Sequence, residues 1–330
     1  MQKYSKLLTA PVVALTVTGF AASAAAADLT WNLAAPLGEG NMHTIYLRHF
    51  ADQVDHLTGG KFQIKVHASQ SLVKEKETLK AVRGGQIPAG QFFVYRMGND
   101  HPIYNTSQIP FVAGTSDMAW KMWQYSKKKT TELMAKQRAK ILMAVAWPET
   151  GFYTKEPIKS LDQFKGVKFR TFSPMTSRMA ELMGSDPIQI QVGEIAQAFA
   201  TNLVQVMYTS AQTGVDSQAW DFAKYYTHAK GGNRSITLTV VGQKAYKNLK
   251  PEFKEALLEA AGAAQTYGWL LSDSLNRKYM KTLREHGMII GEPIPELEAK
   301  MNEVGATIMA EWAKDAGDEG AMIQKEFAAK

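Results

Sequence analysis

The feature that most constrains the fold of this 330-residue chain is a regular switch between two hydrophobic periods. Apolar residues alternate in residues 29–36, recur at helical spacing in residues 44–57 and alternate again in residues 61–68. A helical pattern that ends in two glycines follows at 74–85, and an apolar strand pattern follows at 89–97. Strand, helix, strand, helix, strand at this spacing predicts an α/β fold, with a parallel or mixed sheet covered by helices.

The pattern continues beyond a break in composition near Trp147. A long helix and a buried strand precede the break, and Pro148 and Pro157 bracket a predicted connection after it. Further strands are predicted at 166–172, 188–191, 203–210 and 236–241, with helices between them and a mostly helical C-terminal ninety residues. Two α/β blocks that meet near Trp147 predict two lobes with a cleft, and ligands of open α/β sheets bind outside the carboxyl ends of the strands.

The N-terminus has the three regions of a secretory signal peptide. Two lysines lie within the first six residues, residues 7–22 contain no charge, and an A-x-A pattern of small residues follows. A membrane anchor is the alternative, but the apolar stretch is short for a transmembrane span. We therefore expect residues 1–27 to be a signal peptide that is cleaved near Ala27, and the mature protein to be exported.

Composition limits the kinds of partner. The chain contains no cysteine, so an exported protein of this length has no disulfide and must be stabilised by packing. Removing Lys3 and Lys6 with the signal peptide lowers the formal net charge from +7 to +5. The basic residues are scattered, apart from a run at 127–129 that is typical of a solvated helix face. No basic stripe is interleaved with aromatic residues, so we expect no nucleic-acid binding.

Arg170 stands at the end of a predicted strand, directly before a predicted helix start. Ser173 is a suitable N-cap and Pro174 suits the first helical position. The guanidinium and the helix N-terminus therefore converge on one place that favours an anion such as a ligand carboxylate. Pairing with a nearby acidic residue, such as Glu149 or Glu194, is an equally weighted alternative.

Other strand ends add candidate binding residues. A neutral polar run lies at the end of the strand at 203–210 and could hold hydroxyl or carbonyl groups of a ligand, although it could equally be an ordinary polar turn; it comprises Tyr208, Thr209, Ser210, Gln212 and Thr213. Aromatic side chains at strand ends could line the same cleft, although such residues more often belong to the core; they are Phe93, Tyr95, Trp147 and Phe172.

Enzymatic motifs are missing from the sequence. It contains no dinucleotide-binding glycine fingerprint, no P-loop, no nucleophile elbow and no zincin motif. His43 and His49 lie six residues apart on a predicted helix, a spacing that does not place both on one face as metal ligands. We therefore expect a binding protein without a cofactor or a metal, rather than an enzyme.

Several of these segments, taken in order, resemble the solute-binding proteins of tripartite ATP-independent periplasmic (TRAP) transporters. The segments are HLTGGKFQIKV, SLVKEKETLKAVRGGQI, QIPFV, PIKSLDQFKGVKFRTF and ELMGSDPIQIQVGEIAQAF, and the resemblance extends over nearly all of the mature chain. It implies two α/β lobes joined by crossing strands and a long helix, which close over the ligand. It also implies a periplasmic location, a membrane permease as partner, and a salt bridge from Arg170 to the ligand carboxylate. We expect a monomer.

The resemblance also implies domain boundaries. Domain I would comprise residues 28–147 and 236–275, and domain II would comprise residues 148–235 and 276–330. Where the family continues with a sequence that supplies an asparagine contact, this chain has VQVMYTSAQTG, so Thr209 or Ser210, with Gln212, would take that role.

The stretch after the hinge strand, PETGFYT, lacks the second arginine of the sialic-acid binders. A single arginine beside neutral hydroxyls and aromatic rings predicts an aromatic or 2-oxo/2-hydroxy monocarboxylate as ligand. A C4-dicarboxylate, a sugar acid or a sensory role with the same kind of ligand are the alternatives.

Overall fold

The architecture comes from a computed structural model that describes residues 27–327. The predicted signal peptide lies outside the described residues, apart from Ala27. The strands are β1 Leu29–Ala34, β2 Phe62–His67, β3 Ala89–Phe93, β4 Ala139–Ala146, β5 Thr150–Thr154, β6 Lys168–Thr171, β7 Asp186–Gln189, β8 Val206–Ser210, β9 Tyr225–His228, β10 Ile236–Gly242 and β11 Ile289–Gly291. The α-helices are α1 Met42–Leu57, α2 Thr78–Arg83, α3 Ser116–Lys136, α4 Pro174–Leu182, α5 Ile195–Ala200, α6 Ala211–Asp216, α7 Gln243–Lys247, α8 Pro251–Glu285 and α9 Pro295–Phe327.

Two mixed sheets form the two lobes. The first sheet has the order β2-β1-β3-β10-β4, in which β1 runs parallel to β2 and β3 whereas β10 is antiparallel to both of its neighbours. The second has the order β11-β9-β5-β8-β6-β7, in which β5 is antiparallel to β8 and β9. The predicted α/β class with mixed sheets is confirmed.

Two chain segments cross between the sheets. Residues 147–149 lead from β4 to β5, and residues 229–235 lead from β9 back to β10. The two segments are joined where the Trp147 backbone N–H donates a hydrogen bond of 2.8 Å to the carbonyl oxygen of Ser235. The ends of both sheets are therefore held next to each other at this seam.

Long helices connect the lobes on the outside. α8 packs against α1 and β4 of the first lobe and against α6 and β11 of the second, as a lobe-spanning helix should. α9 bends at Gly317, which has a φ of 62° that favours glycine. It contacts both α3 and α4, so it touches elements assigned to both expected domains. Among the helices of residues 27–327, none combines the length and the apolar character needed to cross a bilayer.

The sequence pattern missed three strands. The segment expected to be a connection between Pro148 and Pro157 contains β5, a buried inner strand, and β9 and β11 were not predicted either. A Cβ atom at Gly151 of β5 would lie 2.5 Å from the Tyr226 ring, so glycine is required there by close packing. Glycine and flanking prolines in sequence indicate a loop, which is why packing information was needed to recognise a strand.

Candidate functional site

A small cavity lies between the two lobes, beside the crossing segments. Its volume is about 40 Å³. On this scale one water molecule needs about 10–15 Å³, so the space corresponds to roughly three or four waters. The lining residues are Phe93, Tyr95, Trp147, Thr150, Arg170, Phe172, Val192, Thr209, Ser210, Thr213 and Ser235.

Arg170 is the only charged residue that lines this cavity among the described residues. Arg170 lies on strand β6 and is only 1% exposed, and its Nε donates a 3.0 Å hydrogen bond to the carbonyl oxygen of Ile190. The guanidinium carbon lies 5.4 Å from the centre of the Phe172 ring, within cation–π range. Backbone and ring thus fix the orientation of the guanidinium.

The same guanidinium lacks an anionic partner. Within residues 27–327, Arg170 forms no salt bridge, and its buried Nη1 has no hydrogen-bond partner. Glu149 instead lies beside the backbone N–H groups of Gly231 and Gly232, which favour its charged form, and Glu194 accepts a hydrogen bond from the N–H of Gln191. The alternative in which Arg170 pairs with one of these glutamates is therefore wrong for this structure.

Burial affects Arg170 electrostatically. It lowers the pKa of the guanidinium to about 10, because desolvation penalises the charged form. The group is still charged at neutral pH, so the cavity contains a desolvated cation with an open donor. A buried cation of this kind is costly unless it is paired, and a carboxylate ligand would supply the pairing.

The start of α4 contributes less to anion binding than its position in the sequence indicates. Ser173 is the N-cap as predicted, and its hydroxyl accepts from the N–H of Thr176. The Thr176 hydroxyl accepts in turn from the N–H groups of Phe172 and Ser173. These N–H groups are already satisfied, so the guanidinium is the principal open donor.

Neutral hydroxyl groups form the polar part of the wall. They belong to Thr150, Thr209, Ser210, Thr213 and Ser235. Ser210 also caps α6, since its Oγ accepts from the N–H of Thr213 at 3.2 Å. Thr150 already donates to Asn233 and Ser235 already accepts from it, so Thr150 can still accept from a ligand and Ser235 can still donate to one, without adding charge.

Aromatic rings form another part of the cavity wall. Tyr95 and Phe93 stack with their ring centres 5.5 Å apart, and the ring of Phe172 lies 6.0 Å from that of Tyr95. The indole Nε1 of Trp147 donates to Thr237 at 2.8 Å, and its ring lies 4.5 Å from the imidazole of His43. Burial lowers the pKa of His43 to about 3, so the imidazole behind this wall is neutral.

The structure brings seven of the nine proposed site residues to the cavity. Tyr208 and Gln212 do not line it. The ring of Tyr208 packs in the core against Phe152, and its hydroxyl accepts from the N–H of Asn233. Gln212 is fully buried in the first turn of α6, since the polar run expected to be a loop is the end of a strand followed by a helix.

Four lining residues were absent from these nine, although the polar run noted in the sequence includes Thr213. They are Thr150, Val192, Thr213 and Ser235. Thr150 begins the strand that the sequence pattern missed, and Ser235 directly precedes β10. In the sequence, Thr150 directly follows one crossing segment and Ser235 ends the other. The hydrogen bond between Trp147 and Ser235 shows that these segments meet, which the sequence does not.

A wider cleft of about 790 Å³ opens next to the cavity and shares Phe93 and Val192 with it. Hydrogen bonds cross this cleft from lobe to lobe. Arg96, which is held by the buried carboxylate of Glu75 at 2.9 Å, donates to Gln191 at 2.5 Å.

A second crossing bond lies nearby. The Asn41 amide donates to the carboxylate of Asp216 at 2.8 Å. Asn41 directly precedes α1 and Arg96 follows β3, so both donors belong to the first lobe, whereas both acceptors belong to the second. The two lobes therefore meet around the mouth of the cavity.

Comparison with known proteins supports this arrangement. The family model DctP, described as bacterial extracellular solute-binding protein, family 7, matches residues 34–315. The chain belongs to this family. The similar proteins include solute-binding proteins of TRAP transporters. The predicted resemblance to that family is therefore confirmed.

Individual relatives of this solute-binding protein are diverse. The 2,3-diketo-L-gulonate-binding periplasmic protein of Escherichia coli is 24% identical over 78% of each chain. The crystal structure of a Bordetella pertussis solute receptor that binds pyroglutamic acid is 32% identical, with a TM-score of 0.86 over 91% of this chain and 99% of that one. A marine metagenome protein in complex with pyroglutamate is 27% identical, also with a TM-score of 0.86, over 91% and 98% of the two chains.

Proposed function

We propose that this protein captures a compact monocarboxylate through Arg170 and delivers it to the membrane subunits of a TRAP transporter. The observation that carries the proposal is the buried guanidinium with an open Nη1 in a cavity between the lobes. A carboxylate fits the planar fork of arginine with two parallel charge-assisted hydrogen bonds. The ligand would thus neutralise a cation that is otherwise unpaired.

The cavity favours one carboxylate over two. Among the residues that the structure describes, Arg170 is the single cation in the lining, and a second carboxylate in the same space would be desolvated without a partner. The space corresponds to roughly three or four waters, which suits a small ring better than a sugar acid. Neutral hydroxyls on Thr150, Thr209 and Ser235 suit a neutral amide or hydroxyl group of the ligand.

Pyroglutamate, a cyclic monocarboxylate with one amide group, meets all of these conditions. Two similar proteins, at 32% and 27% identity, bind this ligand. We propose pyroglutamate, or a monocarboxylate of the same size, as the ligand. Pyroglutamate is a monocarboxylate, as expected, but it is neither aromatic nor a 2-oxo or 2-hydroxy acid, so this proposal departs from the expected class in the body of the ligand.

The transport cycle then follows from lobe closure. Domain I, residues 28–147 and 236–275, and domain II, residues 148–235 and 276–330, would move about the crossing segments in the periplasm. The ligand shifts the population towards the closed form only by its differential affinity for that form, and the pairing with Arg170 provides this difference. The closed monomer would then dock on the permease.

Calorimetry and thermal unfolding of the mature chain test the proposal. The test ligands are pyroglutamate, its uncharged amide as a matched control, succinate and glucuronate. We expect pyroglutamate to stabilise the protein by about 2.7 kcal/mol at a concentration of about 100 Kd, and the amide to have little effect. Equal binding of the amide would contradict the arginine–carboxylate pairing, and a preference for succinate or glucuronate would contradict the ligand class.

A further inference from the structure

A cluster of basic side chains lies on the first lobe, at the end of β4 that is remote from the ligand cavity. Two segments far apart in sequence form it, 136–140 at the end of α3 and the start of β4, and 243–254 across α7 and the start of α8. We call this cluster the basic patch. It consists of Lys136, Arg138, Lys140, Lys244, Lys247, Lys250 and Lys254.

Contacts show that the two segments form one surface. Gly242 pairs with Ala139 at the end of the β10–β4 ladder, and the N–H of Gln243 donates to the carbonyl oxygen of Arg138 at 2.9 Å. Two ammonium groups lie near the ring of Tyr246, with the Nζ of Lys140 5.1 Å and that of Lys254 5.9 Å from the ring centre. The charges of both segments therefore converge around one ring.

The basic patch accounts for the whole positive charge of the described chain. Residues 27–327 contain 35 of the 38 basic residues and all 31 acidic ones, a net charge of +4. The two segments hold seven basic residues and one acidic residue, Glu252, and Asp28 pairs with Lys250 from outside, which leaves 7 − 2 = +5. The rest of the described chain therefore carries 4 − 5 = −1.

These charges are open to solution. Lys136, Arg138, Lys244, Lys247 and Lys250 are exposed. Within residues 27–327, Lys250 is the only patch member that forms a salt bridge. Neither segment contains an exposed large apolar side chain of the kind that anchors a protein–protein interface.

We propose that the basic patch binds the surface of a bilayer that contains anionic phospholipids, and so retains this receptor along the membrane in which its permease lies. The inference rests on the proposed periplasmic location. Six of the seven residues are lysines, which protein–protein interfaces disfavour but which suit diffuse attraction to phosphate headgroups. An acidic protein partner would instead select arginines and an apolar centre.

The position of the basic patch is compatible with ligand capture. Strand β4 begins at the patch with Ala139 and ends at Ala146, next to Trp147 of the cavity. Eight residues at about 3.3 Å each separate the two sites by roughly 25 Å. A bilayer in contact with the patch therefore leaves the cleft free for ligand exchange.

Vesicle co-sedimentation of the mature chain tests this inference. The vesicles contain either phosphatidylcholine alone or phosphatidylcholine with phosphatidylglycerol. We expect binding only to the anionic vesicles at about 10 mM salt, where the Debye length is about 30 Å, and release at about 1 M salt, where it is about 3 Å. Equal binding to both kinds of vesicle, or binding to neither, would overturn the inference.

A matched pair of triple variants locates the binding surface. Lys136→Gln/Lys244→Gln/Lys247→Gln should weaken vesicle affinity on the order of 100-fold, since each lysine near an anionic surface contributes roughly 5-fold. Lys127→Gln/Lys128→Gln/Lys278→Gln removes the same charge from other exposed positions and should change affinity by less than about 3-fold. Equal losses in both variants would show that net charge, not the patch, is responsible.

The affinity of both triple variants for pyroglutamate, measured by calorimetry, separates the two proposals. It should equal that of the unmodified chain, because neither set of lysines lines the cavity. If neither the unmodified chain nor the variants bind pyroglutamate while vesicle binding behaves as described, the ligand proposal fails alone. If vesicles bind neither the unmodified chain nor the variants while pyroglutamate binds, the basic patch proposal fails alone.

Discussion

The two lobes present opposite chemistry to the cavity between them. The first lobe contributes mainly flat apolar surface, with the stacked rings of Phe93 and Tyr95 and the indole of Trp147. The second contributes a buried guanidinium and hydroxyl groups, including Arg170 and Thr209. Charge recognition therefore lies on the second lobe and most of the ring packing on the first, so the two can be changed largely separately; Phe172 is the ring that the second lobe contributes.

The contrast also explains why the ligand should drive closure. A carboxylate can pair with Arg170 on the second lobe while the cleft is open, but its ring is buried only when the aromatic wall of the first lobe arrives. Closure then removes water from the ion pair and strengthens it. Contacts between the lobes, such as that of Arg96 with Gln191, would be made at the same time.

The largest effect should come from the charged wall. Arg170→Lys should weaken pyroglutamate binding on the order of 100-fold or more, because a point charge cannot replace the two parallel bonds of the guanidinium. Calorimetry measures the loss, and Arg178→Lys, on the exposed face of α4, is the matched control. An affinity equal to that of the unmodified chain would refute the pairing.

Stability measurements distinguish this role from a structural one. The unpaired buried cation costs folding free energy in the absence of ligand, so Arg170→Met should raise the free energy of unfolding by about 1–3 kcal/mol while abolishing ligand binding. Urea unfolding without ligand measures this change. A large loss of stability would instead indicate that Arg170 mainly holds the fold through its bond to Ile190.

An intermediate effect is expected at the seam between the two walls. Burial raises the pKa of Glu149 from its usual 4.5 to about 7. A carboxyl group whose folded pKa is raised contributes stability below its unfolded pKa, and this contribution is lost as the pH rises towards 7. The free energy of unfolding should therefore fall by about 1–3 kcal/mol between pH 5 and pH 7.5 because of this group.

Urea unfolding of Glu149→Gln at both pH values tests this. The fall should become smaller, since the neutral amide does not ionise in this pH range. Part of the fall should remain, because burial also raises the pKa of Asp216 to about 6. The exposed Glu255→Gln variant is the control, and an equal fall in Glu149→Gln and the unmodified chain would show that Glu149 ionises normally.

The smallest effect should come from the aromatic wall. Tyr95→Leu removes the stack on Phe93 and should weaken pyroglutamate binding by about 2- to 10-fold, which corresponds to about 0.5–1.5 kcal/mol. Tyr95→Phe keeps the ring and should bind as the unmodified chain does, as measured by calorimetry. If Tyr95→Phe lost as much affinity as Tyr95→Leu, the hydroxyl rather than the ring would contact the ligand.

Much of this division could be predicted from the sequence. The spacing of apolar residues predicted β6 and α4 with the N-cap Ser173, and so placed Arg170 at a strand end. It failed for β5, because Gly151 and the neighbouring prolines indicate a loop unless the ring packed against the glycine is known. It also failed for Tyr208 and Gln212, since the sequence does not show on which residue a strand ends and a helix begins.

The sequence by itself determined the alternation of strands and helices, the single arginine at a strand end, the absence of cysteine and the family. Only the tertiary structure decided that Arg170 lacks an acidic partner, that Thr150 and Ser235 meet at the cavity, and that two distant lysine-rich segments form one surface. The physical reason is the distance along the chain over which each kind of interaction acts. Local periodicity and caps act over a few residues, whereas partners, cavities and surface charge depend on which distant segments the packing of the two sheets brings together.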